Sequence, residues 1–560
     1  MSIFDIERLI KYGYFPKELP PCFSTNDLAN QAALVLRATG CISPKNSIPL
    51  VYSGFKSEIS RRKYAIPNPY HFCKAASEIV NGENDIKSIL DKSKYSLKAP
   101  IEGKPAEGES YAMRSNSPTD TREAIENLYQ NNRIEIRLDI NSCFDSIYTH
   151  TIPWVIHGIG TAKKHTRDNS MLGNRLDGCM QAMNYGQTNG VLVGNDLSRI
   201  VSEIILCTVD TQIQDQFPRI LCRRYVDDYY IYIKEASEIQ QIIAFIRSAL
   251  AKYQLTLNEN KIQINESPFI YGKTWLVGMQ QAVRLKSSEF LSWLISEYYK
   301  EKDPALLKYG LKVVDSKRYS PHNRWKAMQS KIINMWVRYP FLADRILPLL
   351  WNNKEQLKKS GIKNAIYTVV DQSILLGLDL ELIWAIWFVK VFDIQISQEF
   401  AVKVLRSNND LAKIILFDIL DKNGLSEKPK IQKEYQSLLD ALREDDLDDE
   451  GNSGNLPWSS HWLLAYELER KDRFSVISES LDIMSKNPFF MKLLRKDIKF
   501  YDSDYVYSDT QFEKTNKKTK RIQKFSELIK SEEFQSEIEN GNQEMTEKFI
   551  KLIEEAIDVY

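Results

Sequence analysis

Between Arg133 and Ile140 polar and apolar residues alternate, which places Ile134, Ile136, Leu138 and Ile140 on one face of a strand and Glu135, Arg137 and Asp139 on the other. The first face belongs against a core and the second in water. Two shorter apolar and aromatic runs, Leu221–Arg224 and Tyr229–Ile233, predict a hairpin whose tight turn carries Asp227 and Asp228. A helix is expected from Asp196 to Leu206, and an amphipathic one from Ile239 to Tyr253.

From about Ser287 onward the period lengthens. Apolar residues recur at helical spacing in Leu291, Trp293, Leu294 and Tyr298, in Ile332, Ile333, Trp336 and Tyr339, and in Leu382, Ile383, Ile386, Trp387 and Val389. The acidic, glycine-containing stretch Glu444–Gly454 reads as a disordered loop. Helices resume at Ser459–Glu469 and close with the charged stretch Phe525–Ile557. No strict repeat can be written, so the expectation is an irregular helical array, with a globular helical domain as the alternative. Trp336, Trp351, Trp384 and Trp387 belong to its core rather than to a base-stacking surface.

Composition narrows the class. A chain of 560 residues with 43% hydrophobic content has material for two or more domains. No run of 18 apolar residues occurs, and the N terminus lacks the basic-then-apolar order of a signal peptide, so neither membrane nor export is expected. The seven cysteines all lie between Cys22 and Cys222 without CxxC spacing, which suits reduced cytoplasmic thiols. A net charge of +1 excludes a uniformly basic nucleic-acid coat; a local basic groove must do any such binding. His71, His150, His157, His165, His322 and His461 form no metal-ligand pair, and no nuclease constellation is found.

The chemistry concentrates on carboxylates. A turn offering Asp227 and Asp228 seats a hard divalent cation, which prefers oxygen ligands. Asp139, near the end of its strand, is expected to meet Asp227 across neighbouring strands. Three such groups repel one another unless a cation is bound. Two Mg²⁺ ions would relieve the repulsion and clamp the oxygens of a phosphoryl transfer.

At this point the chain resembles the reverse transcriptases. Leu138–His150 is similar to their first palm motif, with Asp139 as its aspartate and Phe144 as the bulky residue five positions on. Tyr225–Asp228 resembles their catalytic hairpin, and Asn189–Arg199 the motif that supports template and incoming nucleotide, although Leu192 stands where proline is usual. The glycines of that motif, Gly190 and Gly194, are expected to permit close backbone approach to nucleic acid. Val51–Pro69 resembles the fingers hairpin, with Lys56 and Arg62 as its phosphate-gripping cations, and Leu255–Lys261 the fourth palm motif. Ile66–Pro69, Gly194–Ile200 and Gly13–Pro21 are closest to the bacterial abortive-infection and defence-associated group.

The resemblance implies an α+β right-hand polymerase, with fingers and palm over residues 1–285 and a thumb-like, all-α, helical-repeat-like domain over 286–560. It implies two Mg²⁺ ions per site, or Mn²⁺ in their place, held by Asp139, Ile140, Asp227 and Asp228. Asp139 and Asp227 would bridge both metals, with Asp228 contributing less. Lys261 would neutralise or protonate the leaving pyrophosphate; Lys56, Arg62, Gly190, Gly194 and Tyr225 would hold substrate; Phe144 would exclude the ribose 2′-hydroxyl. The expected partners are dNTPs, nucleic acid such as a companion non-coding RNA, and further copies of the chain or a second reverse transcriptase, in the bacterial cytoplasm. Template-independent and protein-primed DNA synthesis remain open, and so does a catalytically idle RNA-binding scaffold. An idle palm has no reason to keep Asp139, Asp227 and Asp228 together with Phe144, which favours the enzyme.

Overall fold

Strand alternation builds three antiparallel groups in the computed structural model, which describes residues 2–40, 44–115, 118–129, 132–269, 273–283, 285–315, 322–448, 450–471 and 481–507. A long hairpin joins β1 (Leu50–Ser57) to β2 (Ser60–Ile66), and a short one joins β3 (Pro100–Ile101) to β4 (Ala112–Met113). The central sheet contains β5 (Ile134–Asp139), β6 (Leu221–Tyr225), β7 (Asp228–Ile233) and β8 (Gln263–Glu266), in the spatial order β6–β7–β5–β8. With helices Asp196–Gln216 and Ile239–Ala251 crossing between strands, this is the ferredoxin-like palm topology.

The two faces of the sheet have different fates. Ile136, Leu138, Tyr229, Ile231 and Cys222 are buried on the face toward helix Asp196–Gln216. The other face is only half wet. Near its lower end Tyr232 packs with Leu97, Ile125 and Leu128. Glu135, expected in water, is therefore 1% exposed. It accepts hydrogen bonds from the Tyr232 hydroxyl and, at 2.8 Å, from Asn265, and pairs with Arg137 at 2.8 Å. A covering helical segment, invisible in local alternation, overrides the expectation. The upper end, with Asp139, stays open.

Helix Asp196–Gln216 runs ten residues past its expected end, and its first turn is capped by Asn195, whose side chain accepts from Ser198 N–H at 3.0 Å. Beyond β6, residues 95–97 close the sheet edge: Arg224 N–H donates to the Tyr95 carbonyl and Leu97 N–H to the Arg224 carbonyl, both at 2.8 Å.

The chain is 58% helical, with a helical C-terminal region in which helices pack on their nearest or next-nearest successors. Trp336, Trp384 and Trp387 are buried there. The region does not stand apart from the palm, because one apolar cluster runs continuously from Ile3 to Tyr501. Its last described segment returns to the beginning of the chain: Phe23 bridges Tyr501, and Asn68 donates to the Pro457 carbonyl at 2.7 Å.

The described residues of Glu444–Gly454 are ordered, contrary to the composition of the stretch. Helix Pro429–Asp445 runs into it, and Asp446 accepts from the N–H groups of Gly454 and Leu456 at 3.1 and 3.0 Å. Asp448 likewise accepts from Glu450 and Asn452 at 3.1 and 2.8 Å. The charges that suggested solvation are spent on turn hydrogen bonds. The closing stretch Phe525–Ile557 lies outside the described residues.

Candidate active site

The hairpin turn is tighter than the sequence suggested. Tyr225 pairs directly with Asp228, so Val226 and Asp227 alone form the turn. Val226 takes φ +56°, a region that β-branched residues avoid. Across the sheet Asp139 is the register partner of Asp228, not of Asp227. Tyr225, Asp228 and Asp139 thus stand in one row on the open face, with Asp227 beyond them at the tip.

The row is electrostatically uneasy. Burial, then Asp227, then Asp139 push the Asp228 carboxyl from 3.8 up to about 6. Asp227 is also raised, by burial first and Asp139 next, while Lys261 and Arg62 pull it back. Lys261 answers part of the repulsion by pairing with Asp139 at 2.8 Å, and this bond raises its own pKa. Among the described residues no three carboxylate, imidazole or thiol groups converge closely enough to hold a metal ion as they stand. The donor set nevertheless fits a hard divalent cation: three mutually repelling, half-buried carboxylates gathered at one end of the sheet. Ile140 is buried and apolar, so only its main-chain carbonyl could join them. Tyr225 is half-buried, with Lys98 Nζ 5.2 Å from its ring centre.

Phe144 is half-buried, and its carbonyl is held by Val191 N–H at 2.9 Å. The loop that carries Gly190 is anchored again by Gly190 N–H on the Ile147 carbonyl at 2.8 Å. Gly190 and Gly194 have φ of +85° and +116°. A Cβ on Gly194 would lie 2.6 Å from Pro16, and one on Gly190 would lie 3.2 Å from the Asp145 carbonyl. The Cβ side of each glycine is thus filled by protein. Leu192 does not loosen the loop, since Asn195 holds its carbonyl at 2.9 Å.

The fingers residues come from β1 and β2. Val193 in the glycine loop accepts from Ala65 N–H at 2.9 Å, which ties β2 to the palm. Arg62 is exposed and close enough to lower the Asp227 pKa. Lys56 is exposed at the register break between Phe55 and Ser57, and no observation links it to the carboxylates.

Sequence reasoning missed the network beneath the turn. Arg224 is fully buried between Glu203 and Asp210, with bonds of 3.1 and 2.8 Å, and donates to the Val226 carbonyl at 2.6 Å. Tyr229 and Ser93 donate to Asp210 at 2.8 and 2.7 Å, and Ser96 to Glu203 at 2.7 Å. A signal existed: Glu203 and Asp210, seven apart, fall on the apolar face of their helix, and Arg224 shares the inward face with Cys222.

Residues 85–290 match the family described as reverse transcriptase (RNA-dependent DNA polymerase). The match takes in Asp139, Phe144, Gly190, Gly194, Tyr225, Asp227, Asp228 and Lys261 and leaves out Lys56 and Arg62. Residues 85–290 thus match a reverse transcriptase domain, the domain of a DNA nucleotidyltransferase. No curated protein matches the chain. Among solved structures, apo telomerase from Candida tropicalis aligns at 12% identity and TM-score 0.30, over 71% of this chain and 77% of that one. The same telomerase truncated from its C-terminal domain aligns at 12% and 0.28, over 43% of this chain and 55% of that one. Telomerase from Candida albicans with a fragment of telomeric RNA gives 11% and 0.28, over 64% and 65%.

Proposed function

We propose that the protein is an RNA-directed DNA polymerase that joins dNTPs on a nucleic-acid template. The observation that carries the reading is the row Tyr225, Asp228, Asp139 with Asp227 at its tip, inside the stretch matched to the reverse transcriptase family. Asp139, Asp227, Asp228 and the Ile140 carbonyl would hold divalent cations, Mg²⁺ or Mn²⁺, which supply charge neutralisation for phosphoryl transfer. Arg62 binds the triphosphate, for which a guanidinium is well shaped. Phe144, fixed through its own carbonyl, presents its ring against the sugar and rejects a 2′-hydroxyl. Lys261 is 60% exposed on a flexible stem, so it can leave Asp139 for the departing pyrophosphate.

Resemblance to the defence-associated group extends the reading: the protein acts against phage in the bacterial cytoplasm, as a homo-oligomer or with a second reverse transcriptase, on a companion non-coding RNA. Light scattering with bound nucleic acid retained tests the assembly, and sequencing that nucleic acid tests the template. The polymerase itself is tested by labelled-nucleotide incorporation. Asp227→Ala is expected to abolish it, and wild-type rates in that variant would refute the site. Phe144→Ala is expected to lower the dNTP-to-rNTP efficiency ratio at least about tenfold; an unchanged ratio would put sugar selection elsewhere.

A further inference from the structure

Neighbouring residues on a strand face opposite ways, and Arg61 and Arg62 divide between two partners accordingly. Arg62 lies close enough to Asp227 to lower its carboxyl pKa. Arg61 turns to the C-terminal half, where Nη1 and Nη2 donate to the two carboxylate oxygens of Glu381 at 2.7 and 2.6 Å. Glu381 is 3% exposed, near the start of helix Asp379–Val391. Further contacts fix the hairpin to the same region. Ser53 N–H donates to Asp379 at 2.8 Å, and its hydroxyl donates to the Gly377 carbonyl at 2.9 Å. Phe55, the cross-strand partner of Arg61, stacks on Phe341 with ring centres 3.8 Å apart. A Cβ on Gly54 would stand 2.7 Å from Tyr64 and 3.2 Å from Leu380, so β1 and this helix fit only because residue 54 is glycine. At the tip Glu58 reaches Lys302 at 3.5 Å.

An isolated two-stranded hairpin is marginally stable in water, so the height of Arg62 above the palm depends on what β1 and β2 lean against. We propose that Arg61 and Glu381 are a positioning pair through which the C-terminal helices hold the fingers hairpin still, presetting Arg62 for the triphosphate of the incoming nucleotide. The inference rests on the polymerase reading and adds to it that the helical half takes part in nucleotide binding. A bidentate guanidinium–carboxylate pair suits this task because it fixes direction as well as distance. Arg62 then meets the nucleotide without a prior closing motion of the hairpin.

Two measurements on the full-length protein decide it. The first is amide hydrogen exchange over residues 50–66, with and without dNTP. Wild type is expected to be protected before nucleotide is added, and Glu381→Gln to lose about tenfold in protection. The second is steady-state kinetics. KM for dNTP is expected to rise about tenfold in Glu381→Gln while kcat changes by less than about threefold. The exchanged pair Arg61→Glu with Glu381→Arg is expected to bring KM back most of the way, which loss of general stability would not allow. If Glu381→Gln fails to fold, Arg61→Lys replaces it, since lysine keeps the charge but cannot form the fork. Protection that appears only with dNTP would overturn the proposal, as would an unchanged KM in a variant whose hairpin exchanges freely. A wild-type protein that incorporates no nucleotide would instead overturn the polymerase reading, and the brace would then stand or fall on the exchange data.

Discussion

Asp228 carries the cost of the site in the metal-free protein. Its pKa of about 6, against the usual 3.8, means that the folded state keeps a proton there which the unfolded chain has lost. The contribution to stability is complete below about pH 4 and disappears as pH rises through about 6. At neutral pH the group is a net penalty. Asp228→Asn is therefore expected to stabilise the protein in EDTA at pH 7.5 by about 1–2 kcal/mol, after allowance for its partial exposure, and to have little effect at pH 4. Urea denaturation of both proteins at the two pH values checks this. A variant less stable than wild type at pH 7.5 would show that the carboxylate is held by favourable contacts instead.

At the scale of one element, the β6–β7 hairpin holds a conformation its sequence does not favour. Valine at φ +56° costs on the order of 1 kcal/mol or more, and the buried Arg224 fork under the turn offsets it by holding the Val226 carbonyl. The same guanidinium is the counterion of two buried carboxylates. Arg224→Met is expected to cost about 3–5 kcal/mol, because Glu203 and Asp210 would remain buried without their cation. Equilibrium unfolding measures it; a loss under about 1 kcal/mol would mean that water or the serines satisfy the acids unaided. The helix Asp196–Gln216 therefore has two duties, packing the sheet and supplying the charges that anchor the β6–β7 turn.

Among the described residues the main apolar core crosses the boundary expected near residue 285. The described residues beyond 285 pack directly on the N-terminal half: the fingers hairpin leans on helix Asp379–Val391, and the N-terminal segment pairs with residues near 500. A fragment ending at residue 285 would expose the apolar side of the N-terminal helices and leave the hairpin unsupported. It is expected to lack a cooperative unfolding transition by circular dichroism and to be cut rapidly by protease within residues 2–81. A soluble fragment that melts cooperatively and incorporates dNTP would refute the single-core account.

Local pattern determined much of this protein. The alternation at 134–139, the apolar runs around Tyr225–Asp228 and the helical period after Ser287 each depend on residues close in the chain, and each became the expected kind of element. Asp139 could be placed near a strand end, and Asp227 and Asp228 at a hairpin turn, for the same reason. Period two says which residues share a face but not what covers that face. Only the tertiary structure decided that Glu135 is buried, that Asp139 opposes Asp228, and that Lys261 rests on Asp139. Arg61-Arg62-Lys63 reads locally as one charge run; Arg61 is drawn out of it because Glu381, 320 residues away, packs against one face of β2. Contacts at that separation leave no trace in local periodicity, since they form only when the core that joins both halves brings the two surfaces together.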